Sequence, residues 1–591
     1  MCGFGGELRL DGHAPEADAV SRMVPCLIHR GPDSGGHWSG GRLALAHRRL
    51  QIIDLSEAGS QPMVDEELGL VLVFNGIIYN YRELREELIG HGYRFFSTSD
   101  TEVVLKAYHR WGTRCVERFL GMFAFAISEL STGKLVLGRD RLGIKPLYLS
   151  ETPGRLRFAS TLPALVAAGG LDTSVDPVAL HHYLTFHSVV PAPRTILNGV
   201  RKLPPATVRV IEPDGTTDEI LYWKPEATRG LDYSDEEWRD RTLAALRLAV
   251  ERRMVADVPV GVLLSGGLDS SLVVALLAES GQTGLQTFSI GFEDAGGESG
   301  NEFVYSDLIA ERFATDHHQI RIETRNMVPA VDAAIGAMSE PMVSHDCVAF
   351  YLLSEQVAEH VKVVQSGQGA DEVFAGYDWY PPLSGVPRRD AVDAYRNVFF
   401  DRTHAALNEL LQPGWRLTTD VSKAFVQAHF AVPGAEETLD AALRIDSQIM
   451  LVDDPVKRVD NMTMAWGLEA RVPFLDHELV ELAAACPPGL KLAHGGKGIL
   501  KAAARGVVPD EVIDRTKGYF PVPAIRHLSG PLLEQVADAL TSEAARQRGI
   551  FDSGQVQTLL DKPNETRTTL GSNALWQLGL LEMWLQKMGV G

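Results

Sequence analysis

Apolar residues in the first ~200 positions come in short runs, each cut by Gly, Asn or Asp, as in domains built from brief strands. Leu70 to Phe74 (LVLVF) predicts one strand, ended by the turn signal Asn75-Gly76. Tyr81 to Leu88 predicts a helix, and Met122 to Ile127 and Leu156 to Ser160 predict further strands. Alternating strands and helices with many turns imply an α+β or layered α/β domain. Between Ile211 and Asp235 the pattern lapses into Pro213-Asp214-Gly215, Pro225 and charges, which reads as a linker. Helical spacing resumes at Glu236 and is regular over Leu243 to Val255. Beyond it, continuously apolar strands (Val260 to Leu264, Thr287 to Gly291, Val361 to Gln365) alternate with long helical stretches, the mark of a parallel sheet covered by helices. Two α/β domains are therefore expected, over 2–211 and 236–591. Asp390 to Leu439 offers no chemical motif, and no repeats or low-complexity tracts are evident.

Length and composition agree with this picture. A chain of 591 residues exceeds what one core supports, since domains hold about 100–200 residues. The formal net charge of -21 disfavours nucleic acid as a partner, because phosphate binding needs clustered Lys and Arg. Five cysteines, an odd number without a CxxC pair, suggest neither a disulfide framework nor a zinc site. Cys26, Cys115, Cys347 and Cys486 read as small buried hydrophobes. Met1-Cys2-Gly3-Phe4 opens no signal peptide, and no stretch is apolar enough to span a bilayer, so the cytoplasm is the expected compartment.

Cys2 is different. Removal of Met1 would leave its thiol and a free α-amine on one residue, and an amine titrating near pH ~8 can act as base toward that thiol. Downstream stand, in order, His29-Arg30-Gly31-Pro32-Asp33, Ala46-His47-Arg48-Arg49-Leu50, Phe74-Asn75-Gly76, Ser99-Asp100-Thr101-Glu102 and Arg139-Asp140-Arg141-Leu142-Gly143. Together with MCGFGG at the start, the series resembles the class II glutamine amidotransferase domain, an N-terminal nucleophile hydrolase fold with an αββα sandwich. The resemblance covers about residues 2–200. It implies that Cys2 attacks glutamine, that Arg49 holds the glutamine carboxylate and Asp100 its ammonium, and that Asn75 and Gly76 form the oxyanion hole. One position departs from the pattern: Ile77 stands where the family commonly has a Glu that helps hold the ammonium group.

The second signal is Val260 to Ser271 (VGVLLSGGLDSS), an apolar strand running into Ser265-Gly266-Gly267-Leu268-Asp269-Ser270 and then a helix. Glycines let backbone approach an anion, and N–H groups at a helix start point at it. A Walker A ending is absent. The string resembles the pyrophosphate loop of enzymes that cleave ATP to AMP and pyrophosphate. That likeness implies ATP contacts from Leu263, Ser265, Gly266, Gly267, Asp269, Ser270, Ile290, Ser366 and Gly367, with Ser289 to Phe292 following a strand beside the adenine. It places Mg²⁺ on Asp269 and Asp371, and Lys497 of KGILK at the reacting phosphate. With Glu469 to Asp476 (EARVPFLD), the whole chain resembles glutamine-hydrolysing asparagine synthetase. The implied chemistry is adenylation of a carboxylate by ATP, then displacement of AMP by ammonia tunnelled from the first domain. The implied partners are small molecules (glutamine, ATP and a carboxylate acceptor), with neither nucleic acid nor membrane, and the implied assembly is a homodimer.

The acceptor side departs from asparagine makers. Gln368 stands where those enzymes usually carry an acid, beside Glu372 in the expected acceptor site. Ser339 to Phe350, Lys517 to Pro523 and Leu184 to Leu203 look closer to the N-acetylglutaminylglutamine amidotransferase subgroup, and Tyr377 to Pro382 is expected to wall a roomier groove. Aspartate is the alternative acceptor. An inactive regulatory protein on the same scaffold is the alternative of another class, disfavoured by the joint presence of Cys2, Asp269 and Asp371.

Overall fold

A computed structural model describes residues 2–227, 230–293, 301–323, 327–515 and 523–590. The first part contains twelve strands: β1 (Gly3–Arg9), β2 (Ser34–Gly40), β3 (Leu43–Arg49), β4 (Met63–Asp65), β5 (Leu70–Ile78), β6 (Gly121–Glu129), β7 (Leu135–Arg139), β8 (Tyr148–Thr152), β9 (Arg155–Ala159), β10 (Arg201–Lys202), β11 (Thr207–Ile211) and β12 (Thr217–Leu221). They form two antiparallel six-stranded sheets, ordered β10-β8-β9-β1-β3-β2 and β12-β11-β7-β6-β5-β4. The two sheets stack, and β5 shows why. Val71 and Val73 pack with Phe4, Leu45 and Phe158 between the sheets, whereas Leu70, Leu72 and Phe74 pack outward with Leu84, Leu88, Val103 and Val104. Successive side chains of a strand point to opposite faces, so a strand apolar at every position must be covered on both. Helices Tyr81–Gly90 and Asp100–Trp111 supply Leu84, Leu88, Val103 and Val104 on that outer face. Helices Ala17–Met23 and Leu162–Ala168 carry residues of the core outside the other sheet, which completes the four-layer αββα sandwich.

Two readings change. The Asn75-Gly76 signal does not end β5: the strand pairs with β6 through Asn75↔Ala124 and Gly76↔Phe123. Glycine is needed there because a Cβ would overlap the Met122 carbonyl and Phe123 Cα, so close strand packing, not a turn, accounts for it. Part of the apparent linker is also sheet. Pro213-Asp214-Gly215 turns β11 into β12, whose five residues are all exposed and whose sequence lacks the apolar alternation of a half-buried strand.

The second part holds β13 (Val260–Leu263), β14 (Gln286–Phe292), β15 (Asp316–Ile322), β16 (Val363–Gln365) and β17 (Glu469–Arg471), all parallel, in the order β15-β14-β13-β16-β17. Helix Leu268–Glu279, apolar nearly throughout, is buried against the sheet. Ser289 to Phe292 lies inside β14 rather than after it. The chain leaves β13 in one direction to β14 and β15 and returns on the other side to β16 and β17. The reversal opens a crevice at the carboxyl ends of β13 and β16, where open α/β sheets bind ligands. Residues 390–439 contribute helices Ala391–Phe399, His404–Leu410 and Val421–Ala431 beside this sheet. Among the described residues, no helix is long and apolar enough to cross a membrane.

Candidate active site

Cys2 enters β1, which lies between β3 and β9 in its sheet. Its backbone N–H donates to Asn75 Oδ1 at 3.1 Å, and Arg30 Nε donates to its carbonyl at 3.3 Å. Asn75 Nδ2 is then left buried without a hydrogen-bond partner among the described residues. An orphaned buried donor is costly in a resting fold, and it is the group an oxyanion would need. Burial pushes the Cys2 thiol up, so a proton has to be taken from it before it can attack. The nearby His47 offers no help. Burial pulls its imidazole down to about 3, and Nε2 bonds the Phe74 carbonyl at 3.2 Å.

Arg49, at the end of β3, donates to the carbonyls of Ser56 (2.8 Å), Ile53 (3.3 Å) and Asp54, which anchors its guanidinium in the loop that follows. Asp100 begins its helix and accepts the Ile78 N–H at 3.1 Å; burial raises its carboxyl to about 6. Cys2, Arg49, Gly76, Ile77 and Asp100 line one cavity, and Glu469 of β17 closes it from the second part of the chain. Burial opposes the charge on Glu469, but surrounding cations hold its carboxyl at about 2, including Arg471, whose Nε donates at 2.6 Å. The cavity is small, about 30 Å³, and partly open to solvent.

A larger cleft of about 520 Å³ opens at the sheet reversal. Leu263, Ser265, Gly267, Asp269, Ser270, Ile290, Ser366, Gly367, Gln368, Asp371 and Lys497 all line it. Inside the loop, Ser270 Oγ accepts the Ser265 N–H at 3.2 Å and Ser265 Oγ accepts the Gly267 N–H at 3.3 Å, which folds the backbone into a cradle ahead of the helix. Gly266 has φ +71°, a conformation that glycine adopts without strain, and its carbonyl accepts Arg515 at 3.0 Å. Lys497 Nζ stands 2.7 Å from Asp269 Oδ2 and 2.9 Å from Asp371 Oδ1. Burial works against this ammonium, yet the two carboxylates outweigh it and hold its pKa above the ordinary lysine value. Two carboxylates converging on one cation in a cleft are also a donor set that suits Mg²⁺ beside phosphate oxygens.

Two predicted residues fall outside this lining. Gly266 acts through backbone shape alone. Glu372 lines a separate cavity with Asp440 and Lys491, and the cleft residue Tyr377 donates its Oη to it at 2.7 Å. Burial and the charge of Asp371 raise its carboxyl to about 7. Of the acceptor segments, Asp346, Phe350, Tyr377 and Asp378 reach the cleft. Residues 517–522 lie outside the described residues. Leu184 to Leu203 runs instead to the boundary between the two parts, where Ile196 N–H donates to Glu340 at 3.2 Å. Sequence reasoning missed Arg458 and Arg515 in the cleft, since neither belongs to a recognisable string.

The two sites share one buried boundary. Arg30 and Lys145 pair with Asp460, and Lys202 pairs with Asp453 and Glu340, all of them buried. Asp460 and the cleft residue Arg458 sit on one helix, Lys457–Met464.

Comparison with known proteins agrees with this two-part layout. The family described as asparagine synthase matches residues 241–586, and the glutamine amidotransferase domain matches residues 1–223. The chain is 32% identical to asparagine synthetase [glutamine-hydrolyzing] 1 of Bacillus subtilis (strain 168), over 99% of this chain and 96% of that one. It is 33% identical to a putative asparagine synthetase [glutamine-hydrolyzing] of Mycobacterium tuberculosis (strain ATCC 25618 / H37Rv), over 97% and 94%. It is also 26% identical to amidase chry2 of Gibberella zeae, over 95% of each chain.

Proposed function

The chain belongs to the asparagine synthase family, and on that footing we propose that it takes ammonia from glutamine at Cys2 and delivers it to a carboxylate activated with ATP in the Lys497 cleft. The observation that carries this reading is the shared boundary: Glu469 closes the Cys2 cavity, and helix Lys457–Met464 places Arg458 in the cleft and Asp460 on Arg30, which bonds the Cys2 carbonyl.

In the first site the α-amine of processed Cys2 takes the thiol proton, and Sγ attacks the glutamine amide carbon. The developing oxyanion accepts from Asn75 Nδ2 and the Gly76 N–H. The C–N bond breaks, ammonia leaves, and water later releases glutamate from the thioester. In the second site a carboxylate oxygen of the acceptor attacks the α-phosphorus of ATP, and pyrophosphate departs. Lys497 is placed to offset the charge that builds on the phosphates. Asp269 and Asp371 would hold Mg²⁺, which supplies charge neutralisation at the leaving pyrophosphate. Ammonia then attacks the acyl carbon, AMP leaves, and a carboxamide remains. Transfer through the protein interior suits ammonia, which in water is mostly the unreactive ammonium ion.

For the acceptor we propose N-acetylglutaminylglutamine. Gln368 in the cleft is neutral and can pair with amides, but it cannot serve as the anionic partner of a free amino-acid ammonium. Aspartate is the second reading, favoured by the relatives named asparagine synthetase. Comparing kcat/KM for the two acceptors under saturating ATP and glutamine, with products identified by mass spectrometry, decides between them. Efficient asparagine formation with no amidated dipeptide would return the chain to asparagine synthesis.

A further inference from the structure

Away from both sites, two helix starts meet the middle of a third helix. His181 lies in helix Pro177–Thr185, His404 opens helix His404–Leu410, and Asp420 caps helix Val421–Ala431 by accepting the Lys423 N–H at 2.9 Å. His181 Nε2 lies 3.0 Å from His404 Nδ1, and one ligand atom from each of the three residues falls within 4.8 Å of the other two. We propose that His181, His404 and Asp420 form a binding site for a divalent transition-metal ion of the zinc type, tying the helix at 177–185 to the helices at 404–431.

The surroundings are arranged as such a site requires. Ser422, fully buried, sets its Oγ 2.8 Å from His181 Nδ1 and 3.0 Å from His182 Nδ1. A hydroxyl has one proton, so it accepts from one ring and donates to the other. By accepting from His181 Nδ1–H it leaves the Nε2 lone pair facing His404. A partner on the second ring nitrogen that fixes the tautomer is the usual support of a metal-bound histidine. His404 has a corresponding neighbour, since its Nε2 lies 3.2 Å from the side-chain amide of Asn408. The amide nitrogen Nδ2 is the atom that faces Nε2, while Asn408 Oδ1 is buried without a hydrogen-bond partner among the described residues; turning the amide over would let Oδ1 accept Nε2–H and free Nδ1. The proton merely moves from one nitrogen of His404 to the other, so no charge is gained or lost. Zinc–nitrogen bonds of about 2.0–2.1 Å in a tetrahedron set two nitrogens ~3.3 Å apart, a few tenths wider than the present spacing. Two imidazoles and one carboxylate suit zinc, and water would fill the fourth position.

The test titrates metal-free, full-length protein with Zn²⁺ by calorimetry, alongside His404→Ala and Asp420→Asn. Asn caps a helix about as well as Asp, so the second variant keeps the fold while removing the anionic ligand. The parent should bind one equivalent more than His404→Ala, and Asp420→Asn should bind at least about tenfold more weakly than the parent. Zn²⁺ should raise the melting temperature of the parent and not that of His404→Ala. Equal stoichiometry and affinity in all three proteins would overturn the proposal and leave the imidazoles simply hydrogen-bonded to each other.

Discussion

Arg30 and Asp460, 430 positions apart in the chain, form a two-pronged ion pair, Nη1 to Oδ2 at 2.8 Å and Nη2 to Oδ1 at 3.2 Å, with both residues buried. Lys145 adds a second cation to the same carboxylate at 3.2 Å. Removing one partner of a buried pair leaves an uncompensated charge and costs about 3–5 kcal/mol. Asp460→Ala should therefore lose stability of that order in urea unfolding. Its glutamine-driven synthesis should fall further than its ammonia-driven synthesis, because Arg30 also bonds the Cys2 carbonyl.

Cys2→Ala should abolish glutamine use and spare synthesis from ammonium salts, because Lys497 and the loop of Ser265 to Ser270 lie in a separate cleft. Asn75→Ala should slow glutaminase turnover about 10²–10³-fold, the usual cost of one oxyanion donor. Loss of both glutamine and ammonia activities in folded Cys2→Ala would remove the thiol from its assigned role.

Asp269→Asn and Asp371→Asn should each stop ATP conversion to AMP while leaving glutaminase activity measurable. Each change also deprives Lys497 of one of its two carboxylates. Product analysis of the parent enzyme supplies the check, and ADP in place of AMP would exclude adenylation.

Asp100 gives a pH signature. Its carboxyl, raised by burial to about 6 from an ordinary 3.8, is anionic only above that value. The KM for glutamine should rise as pH falls through 6, as the ammonium partner is neutralised. The stability effect has the opposite sign. The folded state takes up a proton between 3.8 and 6 that the unfolded chain does not, so this group favours folding at low pH and disfavours it increasingly as pH rises through that window. Asp100→Asn should accordingly gain ~1–3 kcal/mol at neutral pH while weakening glutamine binding, a trade read by thermal melting and steady-state kinetics.

What the sequence disclosed was whatever a contiguous string could hold. Ser265 to Ser270 and Ser366 to Asp371 follow strands that end at one crevice, so their chemistry could be read before the fold was known. Asn75-Gly76 misled because a local turn signal cannot reveal a neighbouring strand pressing on Gly76. Strand β12 was hidden because a fully exposed edge strand need not alternate apolar and polar residues. Glu469 was legible as part of a family string, but its place in the Cys2 cavity was not, because it arrives from the other part of the chain. The stretch 390–439, silent by itself, acquires His404 and Asp420 as candidate ligands only when the helix bearing His181 packs against it.

Among the fully buried ion pairs that cross the boundary, the charges are sorted by side. Arg30, Lys145 and Lys202 come from the amidotransferase part, and Asp460, Asp453 and Glu340 from the synthetase part. Were the chain cut between Tyr222 and Ser234, one fragment would present these three cations and the other these three carboxylates, the latter partly offset by Lys457. Opposite faces steer diffusing partners together and do so less well in salt. Recombination of the two fragments should therefore be fast at low ionic strength and slow steeply as salt is added, and correct register would come from attraction that acts before any apolar surface meets.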